Sequence, residues 1–143
     1  MKKIIIFILC AVIIIISIFW MKYIDYKAEQ SLIKEENLEY EVYLNREITG
    51  RELTTAINRA VNSNEKNFVS KDEQGFYIEN DTNSIKIGIK IIDNDTTYKM
   101  ETLYNGGMVN FIQYYSEIYF ECTKIDYNSK GRVSNILFAQ KTT

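Results

Sequence analysis

Hydrophobic positions recur along this chain with three different periods, and each period predicts a different element. From Ile4 to Trp20, IIIFILCAVIIIISIFW, there is no alternation: Ser17 is the one polar interruption, and Lys2 and Lys3 stand in front. An apolar surface all round a helix is the pattern of a membrane span. Seventeen residues, 4 to 20, rise about 25 Å as a helix, close to the short limit for a hydrocarbon core of about 30 Å. Trp20, Tyr23 and Tyr26 are placed to complete the span at the interface. From Met21 to about Tyr43 the chain is charged, with Ile24, Leu32, Ile33, Leu38 and Tyr40 scattered through it and no helix breaker. This segment is expected to continue the helix outward as a stalk.

Helical spacing returns in EITGRELTTAINRAVNSNEKN, where Ile48, Leu53, Ala56, Ile57, Ala60 and Val61 form one apolar stripe. Thr49 and Glu52 match a capping box, Ile48 and Leu53 a staple, and Asn62-Ser63-Asn64 reads as the stop. Beyond it the period falls to two. Phe68–Ser70 and Gly75–Glu79 flank the turn KDEQ and read as a hairpin. In SIKIGIKII, residues 84 to 92, Ile85, Ile87, Ile89 and Ile91 face one side and Lys86, Gly88 and Lys90 the other. Asp93-Asn94-Asp95 turns the chain into a strand over Thr96–Thr102, which Asn105-Gly106-Gly107 ends. Met108, Phe111, Ile112 and Tyr115 then predict a second short helix. Ile118–Tyr127 and Val133–Gln140 form a last hairpin, with Gly131 in the left-handed position of the turn.

The expected fold is α+β: a single N-terminal transmembrane helix, then a small antiparallel sheet with two short helices packed on one face. Its divisions are residues 1–22, a short cytoplasmic N-terminus and signal anchor; 23–45, the helical stalk; and 46–143, an extracytoplasmic domain. The predicted core is Leu53, Ile57, Val61, Ile85, Ile87, Ile89, Ile91, Phe111, Ile112, Phe120, Ile136 and Phe138.

The residues around the apolar run decide how it is read. A cleaved signal peptide needs small residues after a shorter core, and FWMKYIDYKAEQ supplies bulky aromatics there. Lipidation at Cys10 would want a small residue where Leu9 stands, and a prepilin would need a cleavable leader and an early glutamate. An uncleaved anchor remains. Lys2 and Lys3 lie on one side, with Lys22, Lys27 and Lys34 on the other; the short basic N-terminus is expected inside and the domain outside.

Composition narrows the function. There are 17 basic and 19 acidic residues; removing Lys2 and Lys3 leaves 15 against 19, a formal charge of −4, which argues against a nucleic-acid partner. Histidine is absent, so His-based triads, Cys-His dyads and Cys/His zinc sites are unavailable. Cys10 lies in the apolar run, so Cys122 has no disulfide partner on its side and is expected as a small core residue. Several local patterns read as plain structure. Asp93 and Asp95 resemble the start of a calcium loop, but the glycine and distal glutamate are missing. Gly106-Gly107 lacks the lysine and Ser/Thr of a phosphate loop. Glu35, Glu36, Glu39 and Glu41 read as a solvated face, and Asn80-Asp81-Thr82 and Asn94-Asp95-Thr96 as chance glycosylation matches.

These features predict a membrane-anchored binding or assembly module, with a protein partner or a second copy as its target and no cofactor or metal. Eleven tyrosines support that expectation, since Tyr77, Tyr98, Tyr104, Tyr114 and Tyr119 exceed what so small a core can bury. A pilin-like or pseudopilin-like subunit shares the plan by analogy of architecture. A hydrolase would have to rest on carboxylates such as Glu101, Glu117 and Glu121. No catalytic residue is assigned.

Overall fold

Forty residues, Lys2–Glu41, form one uninterrupted helix, α1, in the computed structural model, which describes residues 2–92 and 96–142. The chain divides into two compact units, residues 1–35 and 36–143. Within the first, none of the most apolar 18-residue window is buried, and the helix is long and apolar enough to cross a membrane. The lone polar side chain of Ile4–Trp20 is satisfied locally: Ser17 Oγ donates to the Ile13 carbonyl at 2.8 Å. Just past the run, the Trp20 and Tyr23 rings lie 6.1 Å apart and Lys27 Nζ sits 5.5 Å from the Tyr23 ring centroid.

The second unit is α+β. After α1 come β1 (Glu47–Thr49), α2 (Gly50–Lys66), β2 (Lys86–Ile91) and β3 (Thr96–Lys99). A helical run follows, made of α3 (Met100–Thr102), a π-helical turn (Leu103–Gly107) and α4 (Met108–Tyr115), and the chain ends in β4 (Tyr119–Tyr127) and β5 (Val133–Gln140). The five strands lie in the order β1-β4-β5-β2-β3. Three pairings are antiparallel, but β2 runs parallel to β5, with Ile87 opposite Ile136 and Ile89 opposite Phe138. The sheet is therefore mixed, which corrects the expected antiparallel one. The hairpin β4–β5 places β5 between β4 and β2, so the central pair of the sheet joins strands distant in sequence.

Local signals account for the start of α2. Thr49 Oγ1 accepts from Glu52 N at 3.3 Å, and Glu52 Oε2 accepts from Thr49 N at 3.0 Å, the reciprocal capping box. Ile48 belongs to β1 rather than to the helix, and both Ile48 and Leu53 are fully buried. Gly50 is required by packing, because a Cβ there would lie 2.0 Å from the Tyr115 carbonyl oxygen. The helix passes the predicted Asn62-Ser63-Asn64 stop and ends at Lys66. Asn64 is fully buried and bonds both backbone groups of one residue: Nδ2 to Ile85 O at 2.7 Å and Oδ1 from Ile85 N at 2.8 Å. A side-chain amide thus substitutes for a neighbouring strand at the entry to β2.

Eleven of the twelve predicted core residues are buried; Ile112, on the outer side of α4, is 40 % exposed. The core cluster also holds Tyr40, Tyr43, Ile48, Met100 and Leu103, and the Tyr43 ring meets Phe138 edge-on at 5.6 Å. Tyr77 is buried too, whereas Tyr104, Tyr114 and Tyr119 are exposed. The predicted hairpin over 68–79 reduces to a single bridge, Lys71 to Tyr77, with Asp72 Oδ1 accepting from Gln74 N and Phe76 N at the turn. The strand predicted over Thr96–Thr102 stops at Lys99, and Met100, fully buried, opens the helical run. Gly106 and Gly107 lie inside that run instead of ahead of a helix. Gly131 takes φ +78° in the β4–β5 turn as expected. One extra residue, Thr123, bulges from β4, and its hydroxyl donates to the Leu137 carbonyl at 3.2 Å.

Candidate functional site

Four stretches far apart in sequence converge on a cavity of about 240 Å³ in the second unit: the last turns of α1, the C-terminal half of α2, Ile85 just before β2, and the start of β5. From α1 come Glu36, Asn37, Glu39 and Tyr40. From α2 come Arg59 and Lys66, and from the β4–β5 turn Arg132. Helical geometry puts Asn37 and Tyr40, three residues apart, on one side of α1, and Arg59 and Lys66, two turns apart, on one side of α2.

Asn37 fixes the wall formed by the turn. Its Nδ2 donates to Gly131 O at 2.8 Å and its Oδ1 accepts from Val133 N at 2.9 Å, holding both ends of Arg132's backbone. Arg132, with its side chain only 14 % exposed, pairs through Nη1 with Glu36 Oε2 at 2.5 Å. Across the cavity Arg59 Nη1 donates to the Glu39 carbonyl at 3.2 Å, with Nε 3.7 Å from the Glu39 carboxylate. Tyr127 Oη donates to Glu41 at 2.8 Å. Glu36, Glu39 and Glu41 keep much of the exposure that the sequence suggests, Glu39 being exposed, and each is also paired with the domain.

Two polar atoms in this wall are buried without a hydrogen-bond partner, Tyr40 Oη and Arg132 Nε. Tyr40 is itself buried, and burial above all, with the Glu39 carboxylate next, pushes its phenol well above the ordinary value near 10. It is a neutral hydroxyl that keeps its proton across the physiological range. Arg132 Nε can only donate. Both atoms are enclosed by the surrounding protein, with almost no accessible surface.

The carboxylates available for acid–base chemistry are not brought together there. Glu101 is buried and accepts from Tyr77 N at 3.0 Å, beside a separate cavity of about 120 Å³. Tyr77 Oη contacts Glu65 Oε1 at 3.4 Å, and burial followed by Glu65 pushes its phenol up to about 12. Glu117 is exposed, 3.6 Å from Arg51 Nη2, and lines a third cavity; Glu121 lies on β4 opposite Ala139 and lines none of these three. Cys122 is half-buried against the core, and burial raises its thiol. Asp93 and Asp95, the calcium-like pair, fall outside the described residues, as does most of the Asn94-Asp95-Thr96 pattern. Asn80 uses its Oδ1 to accept from Thr82 N, Asn83 N and Ser84 N, closing its own turn.

Tyr40, Arg59 and Arg132 carry no spacing signal, because they lie on three segments that meet only in the fold. The nearest sequence hint is Asn37 with Tyr40 at i, i+3, two positions suited to one buried face in an otherwise charged stretch. No protein family, no curated protein and no solved structure matches the chain.

Proposed function

We propose that this chain is a single-pass membrane-anchored protein, N-terminus inside, that presents a small binding domain outside the membrane and performs no catalysis itself. The carrying observation is the helix Lys2–Glu41, whose first half leaves Ile4–Trp20 exposed, with none of its most apolar window buried among the described residues. Leaving such a surface in water opposes the hydrophobic effect at about 25 cal/mol per Å². A bilayer removes that cost.

A binding role draws support from the cavity lined by Tyr40, Arg59, Lys66 and Arg132. The separate placement of Glu101, Glu117 and Glu121 supports a domain that holds and does not cleave. In this reading α2 and α4 cover the sheet face that carries Ile87, Ile89 and Ile91, and a partner or a second copy would dock on the opposite face.

The test is topology in whole cells. Cys10→Ala and Cys122→Ala remove both native thiols, and Glu73→Cys, on the exposed turn before Gly75, introduces one reporter. The expected result is retention in carbonate-washed membranes and labelling of intact cells by a membrane-impermeant thiol reagent. Labelling only after lysis would reverse the orientation, and release by carbonate would remove the anchor.

A further inference from the structure

Cross-strand register fixes which side chains share the sheet face away from α2 and α4. Ile136 and Phe138 of β5 are fully buried on the helix side, so Asn135, Leu137 and Ala139 point the other way. Their neighbours in register do the same. Level with Ala139 stand Glu121 on β4 and Lys90 on β2, with Glu47 and Thr97 on the outer strands. Level with Leu137 stand Lys124, Gly88 and Lys99, and level with Asn135 stand Asp126 and Lys86. Gly88 confirms the facing, since a Cβ there would lie 3.1 Å from Leu137 Cδ1 and 3.3 Å from Thr97 Cγ2. Because β5 is the middle strand of the five, it divides this face by charge. On one side β1 and β4 present Glu47, Glu121 and Asp126 with Lys124; on the other β2 and β3 present Lys86, Lys90 and Lys99. Ion-pair partners at the rim soften the division without reversing it, Lys141 pairing with Glu47 and Glu79 lying 3.8 Å from Lys86.

We propose that this face is the interface of a homodimer, in which two copies stack sheet to sheet about a two-fold axis running along β5. The proposal rests on the binding reading above and names a second copy as the partner. An axis along β5 keeps every residue at its own level and exchanges the two sides. Glu121 of one copy then meets Lys90 of the other, Asp126 meets Lys86, and each of these pairs is made twice. Leu137 and Ala139 meet their own counterparts on the axis. Lys124 pairs with Asp126 at 2.8 Å within its own chain and stands opposite Gly88, which has no side chain to oppose it. The other aligned stacking, with the axis across the strands, sets β4 on β4 and β2 on β2 and so brings like charges together. With strands about 4.8 Å apart and about five residues of each in the face, the surface measures about 400 Å² per copy, half that of a standard interface. Such a pair is weak between freely diffusing domains and is populated where both chains are confined to one bilayer.

The test uses the full-length chain in native membranes, with Cys10→Ala and Cys122→Ala removing the native thiols. Ala139→Cys then puts a single thiol on the axis, and Asn58→Cys puts one on the exposed side of α2, away from the face. A short membrane-permeant bismaleimide is expected to convert the Ala139→Cys chain to a product of twice its mass and to leave the Asn58→Cys chain monomeric. Lys90→Glu or Glu121→Lys, each acting twice by symmetry, should cut that product about tenfold, and the two together should restore it. Restoration also shows that the charge-reversed chain is folded. Four outcomes would each overturn the proposal: no dimer from Ala139→Cys, an equal yield from Asn58→Cys, single reversals that leave the yield unchanged, or a double reversal no better than the singles. A product joined to a protein of another mass would do the same, by assigning the face to a different partner. Because the reagent crosses the membrane, pairing is read whichever way the chain faces, and carbonate washing of the same membranes reports the anchor separately.

Discussion

Asn64 shows how much of this fold depends on single polar side chains placed where a strand is missing. Ile85 is buried at the start of β2, and its N–H and C=O both end on the Asn64 amide, 2.8 and 2.7 Å away. Replacing Asn64 with Ala strands both backbone groups without water. Each unsatisfied group costs about 1 to 3 kcal/mol, so the loss from the two should reach about 2 to 6 kcal/mol. Urea denaturation of the detergent-solubilised protein should show the midpoint falling with the slope unchanged; a loss below about 1 kcal/mol would mean that Ile85 finds other partners. Asn37 uses the same device on Gly131 and Val133, so Asn64, which reads from sequence as part of a helix stop, and Asn37, in a charged stretch, are both structural clamps. Composition cannot reveal this, because the same residue type also serves turns here, as at Asn80.

At the scale of elements, what was legible depended on how local the determining contact is. The capping box at Thr49 and Glu52, the alternation of Ile85 to Ile91 and the i, i+3 spacing of α4 are set by neighbours within a few residues. The pairing of β2 with β5 was not, because alternation specifies which face a residue takes and leaves open which strand lies beside it or in which direction. The cavity was illegible for the same reason, since Tyr40, Arg59 and Arg132 come from three separate elements. The end of α2 shows local geometry prevailing over residue preference. Val69 N donates to Asn64 O at 2.9 Å and Phe68 N to Glu65 O at 3.1 Å, a Schellman pattern that calls for a left-handed residue at position 68. Phe68 takes φ +53° there and is 92 % exposed. An L-residue in that region is disfavoured by about 1 to 2 kcal/mol, and a glycine gives back part of the relief through its greater freedom when unfolded. Phe68→Gly should therefore stabilise the protein by about 0.5 to 1 kcal/mol, visible as a melting temperature a few degrees higher. A lower melting temperature would mean that the ring makes contacts worth more than the strain.

For the whole molecule, the dividing line between the two units decides which fragment can stand alone. Sequence pattern places the start of the domain near residue 46, where amphipathic spacing begins, whereas contacts group everything from Glu36 onward. The difference is ten residues, 36 to 45, and they carry more than a tether. Tyr40 and Tyr43 belong to the core, Tyr43 packs against Phe138, and Asn37 holds the β4–β5 turn through two hydrogen bonds. Arg59 and Arg132 are paired with glutamates from the same stretch. A fragment beginning at residue 46 loses two buried tyrosines, each worth several kcal/mol when truncated to a cavity, and leaves Arg132 without the carboxylate of Glu36. Domains of this size have about 5 to 15 kcal/mol in total, so that loss is enough to unfold it. Residues 36–143 should therefore express as a soluble domain with a single cooperative urea transition and dispersed amide resonances, while 46–143 should show neither. Cooperative unfolding of the shorter fragment would make the end of α1 an accessory strap on an independent core. Its failure beside a folded 36–143 would establish the last turns of α1 as part of the domain itself.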